Sequence, residues 1–144
     1  MAFKVALQAS PFNRADLFED AGFEVVEGRI RTEEDMIELL RDADGAQVGV
    51  MPLTSRAVME ACPKLKVVSR LGVGVDSIDL NAATELGVLA CNVPGVNTVE
   101  VADHAAALLL ALTRRLHATI TTTKAGEWSG NPRLTGGYML SLIH

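Results

Sequence analysis

The chain is expected to fold as an α/β domain with a doubly wound, five-stranded parallel sheet, followed by one long apolar helix. Three features of the sequence point there. Short runs rich in β-branched and aliphatic residues alternate with helical segments through Asn92. The runs are apolar almost throughout, as strands covered on both faces are. After Thr98 the pattern changes to a helix that is apolar nearly all round.

Taken in order, Lys4 to Gln8 reads as the first strand and Arg14 to Asp20 as a helix that Gly22 ends. Phe23 to Val26 is the second strand. Thr32 to Ala43 follows as an amphipathic helix. Thr32 and Asp35 have capping-box spacing, and Met36, Ile37, Leu39 and Leu40 supply the apolar stripe. Ala46 to Met51 is the third strand, and Ser55 to Ala61 a helix ended before Pro63. Leu65 to Ser69 is the fourth strand. Asp79 caps a helix that runs to Leu86 and stops at Gly87. Val88 to Asn92 is the fifth strand. Five strands in this order suggest a flavodoxin-like domain. Ligands of such sheets bind beyond the carboxyl ends of the strands, here near Ala9-Ser10, Met51-Pro52, Arg70 to Val75 and Asn92 to Asn97.

Val99, Ala102, Ala105, Ala106, Leu108, Leu109, Leu110, Leu112 and Leu116 make the long helix. It needs partners on several sides, so a second domain or a subunit interface is expected there. From Thr119 onward the chain turns polar through Gly126, Gly130 and Pro132, which reads as a helix end and a linker. The expected division is residues 1–97 as one domain and 98–144 as the helix and the start of another.

Composition narrows the function. Of 144 residues, 49% are hydrophobic and 22% charged, so a core can be buried and wholesale disorder is not expected. The formal net charge is −5, with Lys and Arg scattered, so nucleic-acid binding lacks its electrostatic footprint. Four Phe, one Tyr and one Trp offer no base-stacking platform. Cys62 and Cys91 form no C-x-x-C pair and read as small buried hydrophobes of a reducing compartment. No run is long enough to span a bilayer, so no membrane role and a cytoplasmic location are expected. No His, Cys or carboxylate spacing suggests a metal site.

The most informative stretch is Arg70-Leu71-Gly72-Val73-Gly74-Val75-Asp76-Ser77-Ile78-Asp79. It follows a strand and precedes a helix. Two glycines let the backbone approach a ligand, and successive N–H groups there can hold an anion. It lacks the third glycine of a dinucleotide fingerprint, and Cys91-Asn92 stand where the acidic ribose-binding residue would be. A tight strand-to-helix turn with no ligand is the plain alternative. Arg70 could face an anionic substrate, or pair with Asp76 or Asp79 to fix the turn. Asp76 and Asp79 read as caps rather than acid catalysts.

Other polar residues carry less. Glu33, Glu34, Asp35 and Glu38 form a solvated helix face. His104 reads as a packed or interface histidine. His117 sits near the end of the long helix, where a cation is favourable, and His144 is the last residue. A phospho-receiver is set aside because Ser10-Pro11 and Met51-Pro52 stand where its acidic residues would be. An FMN-binding flavodoxin is set aside because Ala9-Ser10-Pro11-Phe12 is no phosphate loop.

Lys66 to Asp79 closely resembles the signature loop of D-isomer-specific 2-hydroxyacid dehydrogenases, the family of phosphoglycerate dehydrogenase and the glyoxylate and hydroxypyruvate reductases. The likeness continues through Asn81 to Val88, Asn92-Val93-Pro94-Gly95 and Thr98 to Ala105, and weakly through Gly126-Glu127-Trp128 and Arg133 to Gly136. The resemblance implies an NAD-dependent oxidoreductase acting on a small 2-hydroxy or 2-oxo acid. It implies that the backbone at Gly72, Val73 and Gly74 holds the substrate carboxylate. Met51 to Thr54 would line the substrate pocket, and Arg70 is a further substrate-binding candidate. Val73, Asn97 and Val101 would lie beside the cofactor, and Val99 to Leu116 would join domains and pack across a homodimer. Relatives continue past Leu134-Thr135-Gly136 into the true G-x-G-x-x-G loop, and later supply a catalytic Arg, Glu and general-acid His. The chain ends at His144 without them, so no catalytic residue is assigned, the main NAD site is expected to be missing, and no turnover is expected of this chain alone. The alternative is a non-catalytic module that binds a small acid or dimerises. The sequence names neither the substrate nor the choice of NAD over NADP.

Overall fold

The computed structural model describes residues 2–127. They divide into two compact units, with the boundary between Val96 and Asn97. Trp128, the Arg133 to Gly136 stretch, Tyr138 onward and His144 lie outside the described residues.

The first unit alternates strand and helix: β1 Lys4–Gln8, α1 Ala15–Asp20, β2 Glu24–Gly28, α2 Glu33–Leu40, β3 Gly45–Val48, α3 Arg56–Ala61, β4 Val67–Arg70, α4 Leu80–Leu86 and β5 Leu89–Cys91. The strands form one all-parallel sheet in the order β2-β1-β3-β4-β5. This is the flavodoxin-like arrangement, in which chain order reverses between β1 and β3.

Register explains the packing. Val26, Ala6, Ala46, Val68 and Ala90 stand side by side in one row across the sheet. Because alternate residues face opposite ways, the whole row points to one face. The small side chains at its centre let α2, α3 and α4 come close. Met36 and Leu40 of α2, Val58 and Met59 of α3, and Ala82 and Ala83 of α4 are buried against it. Burying a Met, Leu or Val side chain of this kind contributes about 1.5–3 kcal/mol. On the opposite face the row is Glu27, Leu7, Gln47, Ser69 and Cys91, with Leu7 fully buried and Gln47 an uncommon polar member.

The caps fall where local chemistry demands. Thr32 and Asp35 form a reciprocal capping box on α2. Ser55 caps α3 by accepting from the Val58 N–H. Asp79 caps α4 by accepting from the Ala82 N–H at 2.9 Å, and Gly87 ends that helix with φ +72°. The acidic face of α2 is therefore partly engaged, since Asp35 caps and Glu33 accepts from the Ser55 hydroxyl at 3.0 Å.

Several boundaries differ from expectation. β2 runs on to Gly28, because Gln8 and Gly28 continue the pairing. α2 stops at Leu40 rather than Ala43. β3 ends at Val48, so Gly49 to Met51 leave the sheet although they look strand-like. In the second unit the long helix does not run through Leu116. α5 is Thr98–Thr113, the helix is interrupted at Arg115, which takes φ +52°, and α6 is Leu116–Lys124. The expected linker from Thr119 is thus helical to Lys124. His117 lies in the first turn of α6, where a cation gains nothing from the helix dipole. His104 is exposed on α5. Val99, Val101, Leu108, Leu109, Leu110 and Leu112 of α5 are exposed too. Cys62 is buried, whereas Cys91 is only half-buried.

At the amino ends of the strands, the Lys4 backbone N–H donates to Asp44 Oδ2 (3.0 Å), and Lys66 Nζ lies 3.5 Å from Asp44 Oδ1. The Lys4 N–H first, and the lysines at 66 and 64 next, hold the Asp44 carboxyl below its usual range. A depressed carboxyl stabilises the fold above its unfolded value of about 3.9, and that stability is lost as pH falls through the folded value. Urea midpoints measured between neutral and acid pH should therefore fall less steeply for Asp44→Asn than for the unsubstituted chain. Parallel curves would show that Asp44 is not linked to acid unfolding.

Candidate functional site

Three loops meet at the carboxyl ends of the strands, and backbone hydrogen bonds fix them to one another. Leu71 N–H donates to Val48 C=O (2.9 Å), which aligns the start of the β4–α4 loop with the end of β3. Thr54 N–H donates to Ser77 C=O (2.9 Å), and Asp79 N–H donates to Thr54 C=O (3.1 Å). This pair closes the β3–α3 loop onto the start of α4. The Ser77 hydroxyl, buried, donates to Gly49 C=O at 3.4 Å.

The turn at Gly72 to Gly74 has an uneven polarity. Its carbonyls are taken: Val93 N–H donates to Gly72 C=O (3.0 Å), and the Asn92 carboxamide donates to Val73 C=O (2.6 Å). The N–H groups of Val73, Gly74 and Val75 have no acceptor among the described residues. Three neighbouring donors without acceptors, beside carbonyls already satisfied, present positive partial charge to solvent. Gly72 sits at φ +147°, a conformation side chains rarely adopt, and a Cβ there would collide with Arg70 Nη1. A Cβ on Gly74 would lie 2.5 Å from Asp76 Oδ1. The guanidinium and the carboxylate thus rest directly on the glycine backbone.

Of the two readings of Arg70 left open by the sequence, the pairing with Asp76 or Asp79 is not seen among the described residues. Asp79 is occupied in capping α4, and Asp76 caps nothing, contrary to expectation. Arg70 Nε is buried and has no hydrogen-bond partner among the described residues. The guanidinium rests against Gly72, with Nη1 3.7 Å from where a Cβ on Gly74 would lie, so its unpaired charge adjoins the turn that carries the free amides. Met51 lies on the adjoining loop, exposed, and is joined to Pro52 by a cis peptide bond. Gly72, Val73, Gly74 and Arg70 therefore come together, with the Met51 loop fastened beside them through Thr54 and Ser77. Asn97 and Val101 belong to the second unit. Asn97 is the residue before α5 and makes no side-chain cap, and Val101 is exposed on that helix.

Sequence reasoning gave no loop-holding role to Asn92, Ser77, Thr54 or Gln8, which all hold the loops by long-range bonds. Asn92 had a usable signal, a carboxamide at the end of a strand next to a glycine turn. Among the described residues no group of three His, Cys, Asp or Glu could hold a metal ion, and no helix is long and apolar enough to cross a membrane.

The family model described as D-isomer specific 2-hydroxyacid dehydrogenase, catalytic domain, matches residues 6–133. The chain belongs to this family. D-3-phosphoglycerate dehydrogenase of Methanocaldococcus jannaschii is 40% identical over 97 residues, covering 67% of this chain and 18% of that protein. A solved structure from Thermus thermophilus superposes with a TM-score of 0.79 at 31% identity, covering 96% of this chain and 46% of that one. An NAD⁺-bound 3-phosphoglycerate dehydrogenase of Entamoeba histolytica superposes with a TM-score of 0.68 at 29% identity, over 79% of this chain and 40% of that one. The chain spans about a fifth of the length of the curated relatives it matches. Among these dehydrogenases, the glycine turn of this chain lies within the matched region, as do Arg70 and Met51.

Proposed function

We propose that this chain supplies the acid-gripping part of an NAD-dependent oxidoreductase acting on the CH–OH group of a small D-2-hydroxy acid. The observation that carries the reading is the unpaired Arg70 guanidinium resting against Gly72, on the turn where the N–H groups of Val73, Gly74 and Val75 have no acceptor among the described residues. A carboxylate seated there would accept charge-assisted bonds from both sources, each worth about 1.5–3 kcal/mol. Met51, on the neighbouring loop, would border the rest of the substrate.

NAD is the cofactor proposed from the family and from its NAD-bound relatives. Val73, Asn97 and Val101 are proposed to lie beside its reactive end. The described residues do not suit its pyrophosphate. The glycine turn has no third glycine, which a dinucleotide fingerprint needs to bring its helix close to the strand. No step of hydride or proton transfer is therefore assigned to a residue of this chain, which binds and orients the acid. The exposed leucines of α5 between Val99 and Thr113, with Leu116 beyond them, support a homodimer contact.

Titration of the ¹⁵N-labelled chain with oxalate, a small dianion shaped like a 2-oxo acid, tests the reading. The amide resonances of Val73 and Gly74 should move together and saturate. NADH with glyoxylate should show no oxidation by the chain alone. Silent glycine-turn amides would remove the acid site, and steady turnover would show that catalytic groups had been overlooked.

A further inference from the structure

We propose that Gln8 is a positioning residue whose carboxamide holds the Gly49 to Leu53 loop in the shape the acid site needs. The inference rests on the reading of Gly72 to Gly74 as that site.

Gln8 is the last residue of β1, 41 positions before the loop it touches. Gly49 N–H donates to Gln8 Oε1 at 2.6 Å, and Gln8 Nε2 donates to Met51 C=O at 3.2 Å. A backbone N–H can only donate and a carbonyl can only accept, so the carboxamide has a single orientation that satisfies both. The close approach depends on Gly49 having no side chain, since a Cβ there would lie 3.1 Å from Oε1.

The loop has little else to hold it. β3 ends at Val48, so Gly49 to Leu53 have no strand partner. Val50, Met51 and Leu53 are exposed, so burial does not fix them. The far end is tied through Thr54 to Ser77 and Asp79, and the Ser77 hydroxyl bond to Gly49 C=O is long at 3.4 Å. Gln8 adds two side-chain bonds at the near end, both shorter than that one. A cavity of about 190 Å³, lined by Gln8, Ser10, Gln47, Gly49 and Leu71, adjoins the near end of the loop, so Gly49 is not packed on that side. Movement there would pull on Gly49, which Ser77 joins to the β4–α4 turn, and would displace Met51 from the edge of the acid site.

The test uses the 144-residue chain with oxalate as probe, read at the Val73 and Gly74 amides, together with hydrogen exchange at Gly49. In Gln8→Leu the Gly49 amide should exchange about tenfold faster, and the oxalate Kd should rise about three- to tenfold, as the loss of two ordinary hydrogen bonds implies. Gln8→Glu keeps an acceptor for Gly49 but sets a carboxylate against Met51 C=O. It should restore protection at Gly49 and give an intermediate Kd, and it remains informative if Gln8→Leu does not fold. Asp44→Asn serves as the control: it weakens the carboxylate contacts with Lys4 N–H and Lys66 at the opposite, amino ends of the strands, and should lower Tm while leaving Kd unchanged. An oxalate Kd in Gln8→Leu equal to that of the unsubstituted chain overturns the positioning role. Silence at Val73 and Gly74 in the unsubstituted chain overturns the acid-site reading itself, and the role of Gln8 in binding with it.

Discussion

Gly72→Ala is expected to weaken oxalate binding by about tenfold or more while lowering stability only moderately. Two costs add at this position. A side chain at φ +147° occupies a region reserved almost entirely for glycine, at about 1–3 kcal/mol. The new methyl also meets Arg70 Nη1, and the guanidinium has to swing away from the turn. An arginine tip is flexible, so the clash itself can be relieved. The relief moves the cation off the free amides, and that is why the effect should fall on binding. Each 1.4 kcal/mol of binding lost is a factor of ten. Gly22→Ala provides the comparison. Gly22 has φ +83° with nothing within 4 Å of its missing Cβ, so its cost is backbone strain alone. Both variants should melt earlier, measured by circular dichroism. Only Gly72→Ala should lose affinity in the oxalate titration. Equal affinities in the two would mean the turn is a structural bend and no more.

What the sequence revealed and what it concealed follow the range of the interactions involved. The helix starts were legible because a cap is a contact over three residues: Thr32 with Asp35, Ser55 with Val58, Asp79 with Ala82. The parallel sheet followed from alternation of strand and helix. The end of β3 was not legible, since Gly49, Val50 and Met51 continue its apolar run and only the side chain of Gln8, brought in from β1, shows that they belong to a loop. The break between α5 and α6 was hidden for another reason. It falls on Arg115, which takes φ +52° without the glycine that normally announces such a turn, while the apolar pattern passes unbroken through Leu112 and Leu116. For the site, the glycines and Arg70 could be named from type and spacing. The partners that give the turn its polarity could not, because Val93 and Asn92 reach it from the end of β5, about twenty residues away. Whether Arg70 pairs with Asp76 or stands free is a matter of side-chain geometry that no spacing encodes.

The free state of Arg70 leads to the second large effect, and its sign is what distinguishes function from architecture. Replacing Arg70 by Met keeps the aliphatic length and removes the guanidinium. If the residue served mainly to fix the turn, the fold would lose an anchor and Tm would fall. The structure gives that role no bonds to lose: the side chain has no ion pair, and its Nε is buried without a partner. An unpaired buried donor costs about 1–3 kcal/mol of stability. Arg70→Met should therefore leave Tm unchanged or raise it. Binding should move the other way. A charge-assisted bond worth about 1.5–3 kcal/mol disappears, so the oxalate Kd should rise between about ten- and a hundredfold. Affinity in the unsubstituted chain should weaken as salt is added, and that dependence should flatten in the variant, because the screened cation is gone. Stability gained where affinity is lost is the pattern of a residue kept at a cost for its ligand. A lower Tm with unchanged Kd would return Arg70 to the turn and leave the three free amides as the whole of the anion site.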